Sequence, residues 1–233
     1  MKINLCIPTL NRYDLLIEEL KTADFGELPP DHIYIFDNGG QLRTDNPRVT
    51  VINTPTNLGV AKAWNWFILN VSEARIIAND DLEFGPLTIK NMVEALENGA
   101  EFVGLNNIAG LNLFSLFAIS DSCVEKVGLF DEDISPNYAY FEDNDYHRRM
   151  ELLGVQTTYV PGDVIHKSSS TMAAYTEEQL KLHHEKFRRA KANYILKWKG
   201  EPGKETITDA REYNNFFSIG ELWQTRKPTF PSS

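Results

Sequence analysis

A chain of 233 residues with 42% apolar and 24% charged side chains has the makeup of an ordinary globular protein, enough for one α/β core and short for two. No run approaches the ~20 apolar residues of a membrane span, and the interrupted stretch Met1–Pro8 lacks the apolar core of a secretion signal, so the expected compartment is the cytoplasm. Cys6 and Cys123 form no disulfide framework or metal pattern, and a formal net charge of −10 argues against a chain built to coat nucleic acid.

The N-terminal half alternates strand and helix signals. Ile3, Leu5 and Ile7 have strand periodicity, and Asn11 followed by Asp14, Leu15, Leu16, Ile17 and Leu20 predicts a capped amphipathic helix. Ile33–Phe36 predicts a strand closing into Asp37-Asn38-Gly39-Gly40, and Val49–Ile52 a third strand followed by a helix over Ala61–Asn70. A fourth strand, Ala74–Ala78, ends in Asn79-Asp80-Asp81. Pro86 opens a helix that stops at Asn98-Gly99, and Glu101–Leu105 is a fifth strand. Repeated β-α-β predicts a largely parallel sheet with right-handed crossovers, whose ligands bind beyond the carboxyl ends of the strands.

The pattern then changes. Leu113–Ile119 reads as a strand, Asp121 as the cap of a short helix to Val127, and Gly128–Glu132 as a turn. Tyr140–Asp145 leads into a helix stopped at Gly154, and Val155–Val160 is a strand followed by a loop holding His166 and Ser168–Ser170. Glu177–Lys199 predicts a long helix with Leu180, His184, Phe187, Tyr194 and Trp198 near one face, before an irregular tail.

Three strand ends carry polar groups aimed at one crevice: Pro8-Thr9-Leu10-Asn11, Asp37-Asn38 and Asn79-Asp80-Asp81. The last can hold a hard divalent cation together with substrate phosphates, or be a solvated turn in which an acid caps the next element. In Glu142-Asp143-Asn144-Asp145, one acid is expected to be the N-cap. The surplus acids repel one another and raise a pKa, which suits a general base. Asp145 and Arg149, spaced i,i+4, read as a structural pair. His166 is a third ligand for the same cation only if the acids hold one; His147, His183 and His184 read as ordinary helix residues. Between Lys181 and Lys204 stand eight Lys or Arg against two Glu, a solvated helix face or else a dock for an anionic surface.

These pieces, in this order, resemble glycosyltransferase family 2, whose fold is called GT-A, through nearly the whole chain to about residue 206. The resemblance implies one domain over 1–206, with a nucleotide-binding half to about 105 and an acceptor half after it, and a tail over 207–233. Ile7-Pro8-Thr9-Leu10-Asn11-Arg12 resembles the family's opening strand and loop, and Asp37-Asn38 the acid that reads the base. Asn57-Leu58-Gly59-Val60-Ala61-Lys62-Ala63-Trp64-Asn65 resembles the segment on the diphosphate side, to which Gly59 and Lys62 belong. Asn79-Asp80-Asp81 falls where the family has Asp-x-Asp, with Asn79 in place of the first acid, so Asp80 joins the nucleotide side and Asp81 takes the metal. Asp143 matches the general base, with Tyr140 and Glu142 on the acceptor side, and His166 matches a late metal ligand.

The implied activity is an inverting, Mn²⁺- or Mg²⁺-dependent transfer of a sugar from a nucleoside diphosphate to a glycan or other hydroxyl acceptor. UDP is the favoured nucleotide, because Asp37, with no core partner visible in the sequence, can accept from uracil N3–H. Lys167 and the Ser168–Ser170 hydroxyls are expected to reach phosphate oxygens. Rival readings are a non-catalytic nucleotide- or glycan-binding module, transfer to hydroxylated nucleic-acid bases, and a dinucleotide-binding oxidoreductase. The last lacks a Gly-x-Gly-x-x-Gly after the first strand. A nucleic-acid partner is disfavoured by the net charge, and membrane contact is confined to the basic helix surface at 181–199.

Overall fold

The computed structural model describes residues 1–106, 111–167 and 175–209. Ser168–Ser170 and the tail from 210 onward lie outside the described residues. The elements in order are β1 (Ile3–Thr9), α1 (Tyr13–Asp24), β2 (His32–Asp37), β3 (Val49–Asn53), α2 (Val60–Asn70), β4 (Ala74–Ala78) and β5 (Leu82–Phe84). There follow α3 (Thr88–Glu97), β6 (Phe102–Leu105), a 3₁₀ turn (Leu113–Ser115), β7 (Leu116–Ile119), α4 (Asp121–Val127) and α5 (Glu142–Leu152). β8 (Thr157–Val160), β9 (Val164–His166) and α6 (Glu177–Trp198) are the last elements among the described residues.

The main sheet has the order β3-β2-β1-β4-β7-β6-β8. All its pairings are parallel except those of β7, which runs antiparallel to both β4 and β6. Period-two alternation divides its side chains between two cores. Leu5, Ile35, Ile76, Val103 and Leu116 point to one face, where Leu16 and Ala23 of α1 and Ile89 and Met92 of α3 cover them. Cys6, Phe36, Ile77, Phe102 and Phe117 point to the other, under Trp64 and Phe67 of α2, Val124 of α4 and Tyr146 of α5. Burial on both faces explains why these strands read as nearly continuous apolar runs. Each fully buried Ile, Leu or Phe contributes about 1.5–3 kcal/mol relative to exposure.

Several local expectations are corrected. The strand expected over 113–119 begins as a 3₁₀ turn, because the Asn112 side chain accepts from Phe114 N–H and winds the chain first. Ser120, not Asp121, caps α4 by accepting from Cys123 N–H; Asp121 instead pairs with the buried Arg75. No Asn11 cap stands at α1, whose N-cap position is Arg12. None of the acids at 142–145 is the cap of α5: Phe141 holds that position with a left-handed backbone, leaving Glu142, Asp143 and Asp145 inside the first turn. His166 lies on β9 rather than in a loop, paired antiparallel with β5.

α6 is held at its start by a capping box between Thr176 and Gln179. Its buried residues are His183, Ala190, Tyr194 and Trp198, so the inward stripe runs one position from the expected His184. The anchor is the expected i,i+4 pair: Asp145 accepts from Arg149 at 2.9 and 3.0 Å and from Trp198 Nε1 at 2.9 Å, with Lys197 ion-paired to the same carboxylate. The basic face is partly consumed by such contacts. Lys191 pairs with Glu201, Lys197 with Asp131, and Lys186 stands over the Tyr138 ring. Among the described residues, no helix is long and apolar enough to cross a membrane.

Candidate active site

Strand order reverses between β1 and β4, since β1 connects outward to β2 while β4 lies on its other side. That is where an open α/β sheet opens a crevice at its carboxyl edge. Thr9, the last residue of β1, bridges it by donating from Oγ1 to Asp80 Oδ2 at 2.6 Å. The crevice measures about 510 Å³, within the usual range of small-molecule sites.

One end of it is lined by Pro8 and Thr9 at the end of β1, by Asn11 beyond it, by Asn38 after β2, and by Asn57 ahead of α2. Asn38 Oδ1 accepts from Leu58 N–H and Asn57 Oδ1 from Gly59 N–H, both at 2.8 Å, so these amides also shape the loop they line. Asn79, Asp80 and Asp81 form the floor. Burial and the neighbouring Asp81 push the Asp80 carboxyl up to about 6, against the hydrogen bond from Thr9.

Asp81 and His166 meet here from opposite halves of the sequence. Leu82 of β5 and His166 of β9 are register partners, and Lys167 N–H donates to Asp81 C=O, so the ribbon sets the two side chains together. His166 Nε2 lies 3.1 Å from Asp81 Oδ1. Both line the crevice, the imidazole 13% and the carboxylate 12% exposed. One carboxylate and one imidazole suit Mn²⁺, leaving positions that phosphate oxygens can fill. Among the described residues no group of three His, Cys, Asp or Glu is placed to hold a metal. The donor set fits a cation that shares its shell with substrate.

The opposite wall carries Glu142 and Asp143 from the first turn of α5. Asp143 Oδ1 accepts from Asn144 N–H at 2.8 Å and Oδ2 from the Asn112 side chain at 3.2 Å, which fixes the carboxylate. Burial raises its pKa above the ordinary value. Glu142 is 3% exposed and is pushed up to about 8, by burial first and Asp143 second. The pKa displacement expected from crowded acids is therefore present, though burial is its larger cause.

Other expected site residues stand away from the lining. Asp37 is wholly buried, accepting from Tyr13 O–H and Gly39 N–H at 2.9 Å and from Leu42 N–H at 2.7 Å. It closes the turn after β2, so the premise that it lacks a core partner is overturned. Arg12 is held by Asp14, though its charge reaches Asp80 and Asp81. Lys62 pairs with Glu132 at 3.8 Å, and Lys167 with Glu83. Gly59, at φ +89°, lets the backbone of Tyr138 come so near that an added Cβ would lie 2.7 Å from it. That close approach joins the start of α2 to the loop before α5.

The lining also holds side chains not named as site candidates from the sequence, among them Asn112, Phe114, Tyr138 and Tyr175, and it includes His183, which the sequence reads as an ordinary helix residue. His183 has a readable signal, since it precedes Ala190 and Tyr194 at helical spacing. Glu19 is a further surprise, wholly buried on α1 and pushed well above the carboxylate range by burial and then by Asp80 and Asp81. It shares the inward stripe with Leu16 and Ala23, which the sequence shows.

Residues 5–112 match the family described as Glycosyl transferase family 2. No curated protein sequence matches the chain. Among solved structures it is similar to a mannosyltransferase from Pyrobaculum calidifontis in complex with GDP-Man and Mn²⁺. That match has TM-score 0.56 and 14% identity, over 96% of this chain and 83% of that one. A segment of S. aureus TarS in complex with UDP-GlcNAc gives TM-score 0.57 and 12% identity, over 98% and 77%. Glucosyl-3-phosphoglycerate synthase from Mycobacterium tuberculosis, with Mn²⁺, uridine diphosphate and glucosyl-3-phosphoglycerate, gives 0.58 and 16%, over 84% and 79%. At these identities the likeness establishes the GT-A fold.

Proposed function

We propose that this chain, which matches glycosyl transferase family 2 over residues 5–112, transfers a sugar from a nucleoside diphosphate to an acceptor hydroxyl, with inversion and with a divalent cation. The observation that carries the reading is one crevice with the Asp81–His166 pair on its floor and Asp143 on its acceptor wall. No Lys or Arg stands among its described lining residues. A diphosphate entering among Asp80, Asp81, Glu142 and Asp143 needs positive charge from elsewhere, and a cation at Asp81 and His166 would supply it.

Asp81 and His166 would hold the cation, which when bound would supply positive charge for the leaving diphosphate. The chain's own residues do the rest. Pro8, Thr9, Asn11, Asn38 and Asn57 position the nucleoside and ribose end. Asp143, fixed by Asn112 and Asn144, takes the proton from the acceptor hydroxyl. The acceptor oxygen forms a bond to the anomeric carbon while the bond from that carbon to the diphosphate oxygen breaks. Attack opposite the leaving group inverts the centre. A buried, raised carboxyl is a better proton acceptor than a solvated one, and such general-base help contributes about 10²–10⁴-fold.

Asp37, the residue that favoured uridine, is buried in the turn after β2, so the donor is a nucleoside diphosphate sugar with uridine and guanosine forms to be tested side by side. The test is melting of the full chain with UDP, GDP and their sugar conjugates, with and without Mn²⁺. A nucleotide at ~100 times its Kd raises stability by about 2.7 kcal/mol, and the rise should need the metal. Metal-independent binding, or none by any nucleotide, would contradict the site.

A further inference from the structure

The acceptor end of the crevice is built differently from the nucleotide end. Tyr138 and Tyr140 from the loop before α5 meet His183 of α6 there. The Tyr140 and His183 rings are 5.4 Å apart, edge to face, and Phe187 braces Tyr140 at 5.1 Å. His183 Nδ1 and the Tyr138 hydroxyl lie 2.7 Å apart. Two successive left-handed residues, Tyr140 at φ +94° and Phe141 at φ +70°, carry the ring to this position. Such backbone persists only where the surroundings enforce it, and it concentrates at functional sites.

Beside this wall, Glu142 Oε2 is buried with no hydrogen-bond partner. An unpartnered buried oxygen is costly unless something else satisfies it. The charges around it are carboxyls: Asp80, Asp81, Glu142 and Asp143 line the crevice, with no Lys or Arg among the described lining residues. Lys186 sits 4.4 Å from the Tyr138 ring centre but does not line the crevice, and Arg12 is held by Asp14.

We propose that the acceptor is an uncharged saccharide whose C–H face rests on the Tyr140–His183 wall, with one hydroxyl at Asp143 and a neighbouring one at Glu142 Oε2. This rests on the glycosyltransferase reading above and names the acceptor class for that site. A pyranose presents polarised C–H bonds on one face and hydroxyls around its rim, matching a rigid aromatic wall beside two carboxyls. With its carboxyl held up to about 8, Glu142 meets the sugar as a neutral group near neutral pH. An acceptor phosphate or carboxylate would enter beside Asp143 and Asp80 with no Lys or Arg on the described lining to offset the repulsion, the cation at Asp81 and His166 being shared with the donor diphosphate.

The test measures transfer, with nucleotide sugar and Mn²⁺, to methyl glycosides and to the same sugars as 6-phosphates and uronates. The uncharged forms should win by at least about tenfold in kcat/KM. Tyr140→Ala should raise the KM for the uncharged acceptor about tenfold while the donor KM holds, and Tyr140→Phe should restore it, since the ring and not the hydroxyl is used. Preference for the charged forms, or an unchanged acceptor KM in Tyr140→Ala, overturns the proposal. Stabilisation by nucleotide and Mn²⁺ without transfer to any uncharged sugar sinks the acceptor class alone. Absence of that stabilisation sinks the glycosyltransferase site and this acceptor together.

Discussion

His166 Nε2 stands 3.1 Å from Asp81 Oδ1, although the two residues are 85 positions apart, because β5 and β9 pair in a register that seats His166 against Leu82. Asp81→Ala is expected to abolish the Mn²⁺-dependent part of nucleotide stabilisation. His166→Ala should weaken it and leave a remnant, since the carboxylate is the harder ligand. Melting of each variant against Mn²⁺ concentration, at fixed UDP, reads both effects. A wild-type response from Asp81→Ala would remove the metal from this floor.

Asp143→Asn keeps the shape and loses the proton acceptor. Turnover should fall about 10²–10⁴-fold, while donor affinity stays near that of the wild type because the group faces the acceptor. The pH profile carries a second signature. Asp143 must be ionised to take a proton, and burial raises its pKa above 3.8, so kcat/KM should drop on the acid side through a limb above that value. Equal losses of donor affinity and turnover would make Asp143 a structural residue.

How far the sequence reaches is visible in β1 and β9. β1 is seven residues buried throughout, and its apolar run and polar ending announce both a central strand and a crevice edge. β9 is three residues, too short for any period to show, and its pairing with β5 is decided by a partner far along the chain. That acids of this turn line the crevice was legible, because three of them crowd one helix start. Of the aromatic wall only Tyr140 was expected at the site, through the family resemblance; Tyr138 sits in irregular backbone, where no repeat says which way a side chain points. Asp37 misled for a related reason, since its three donors come from a tyrosine and two loop amides that only the folded turn brings together.

That turn gives the next expectation. Asp37→Ala strands the Gly39 and Leu42 amides and leaves the Tyr13 hydroxyl only its longer bond to Leu10 C=O at 3.3 Å. The cost should be about 2–5 kcal/mol, larger than any direct effect on nucleotide affinity. Urea denaturation measures the first and a nucleotide titration of the folded variant the second. A variant as stable as the wild type that no longer binds nucleotide would restore the base-reading role.

The last expectation concerns Glu142 and the direction in which acidity acts on the fold. Its ordinary value of 4.5 applies to the unfolded chain, and burial beside Asp143 raises it to about 8 in the folded protein. Between those values the folded state holds a proton that the unfolded state has released. The stabilising contribution is therefore fully present below about 4.5 and is lost as pH rises through about 8. Glu142→Gln keeps a neutral side chain of the same size at every pH and removes this dependence, while the contributions of Asp80 and Asp143 remain in both proteins. Urea unfolding at pH ~5 and ~8.5 should show the wild type losing a few kcal/mol more than the glutamine variant over that interval. The variant should also hold its stability advantage at the alkaline end, where the wild type must carry two adjacent charges in a buried turn. If the two proteins lose stability in parallel, Glu142 is ionised in the folded state throughout, and the neutral partner assigned to the acceptor hydroxyl is wrong.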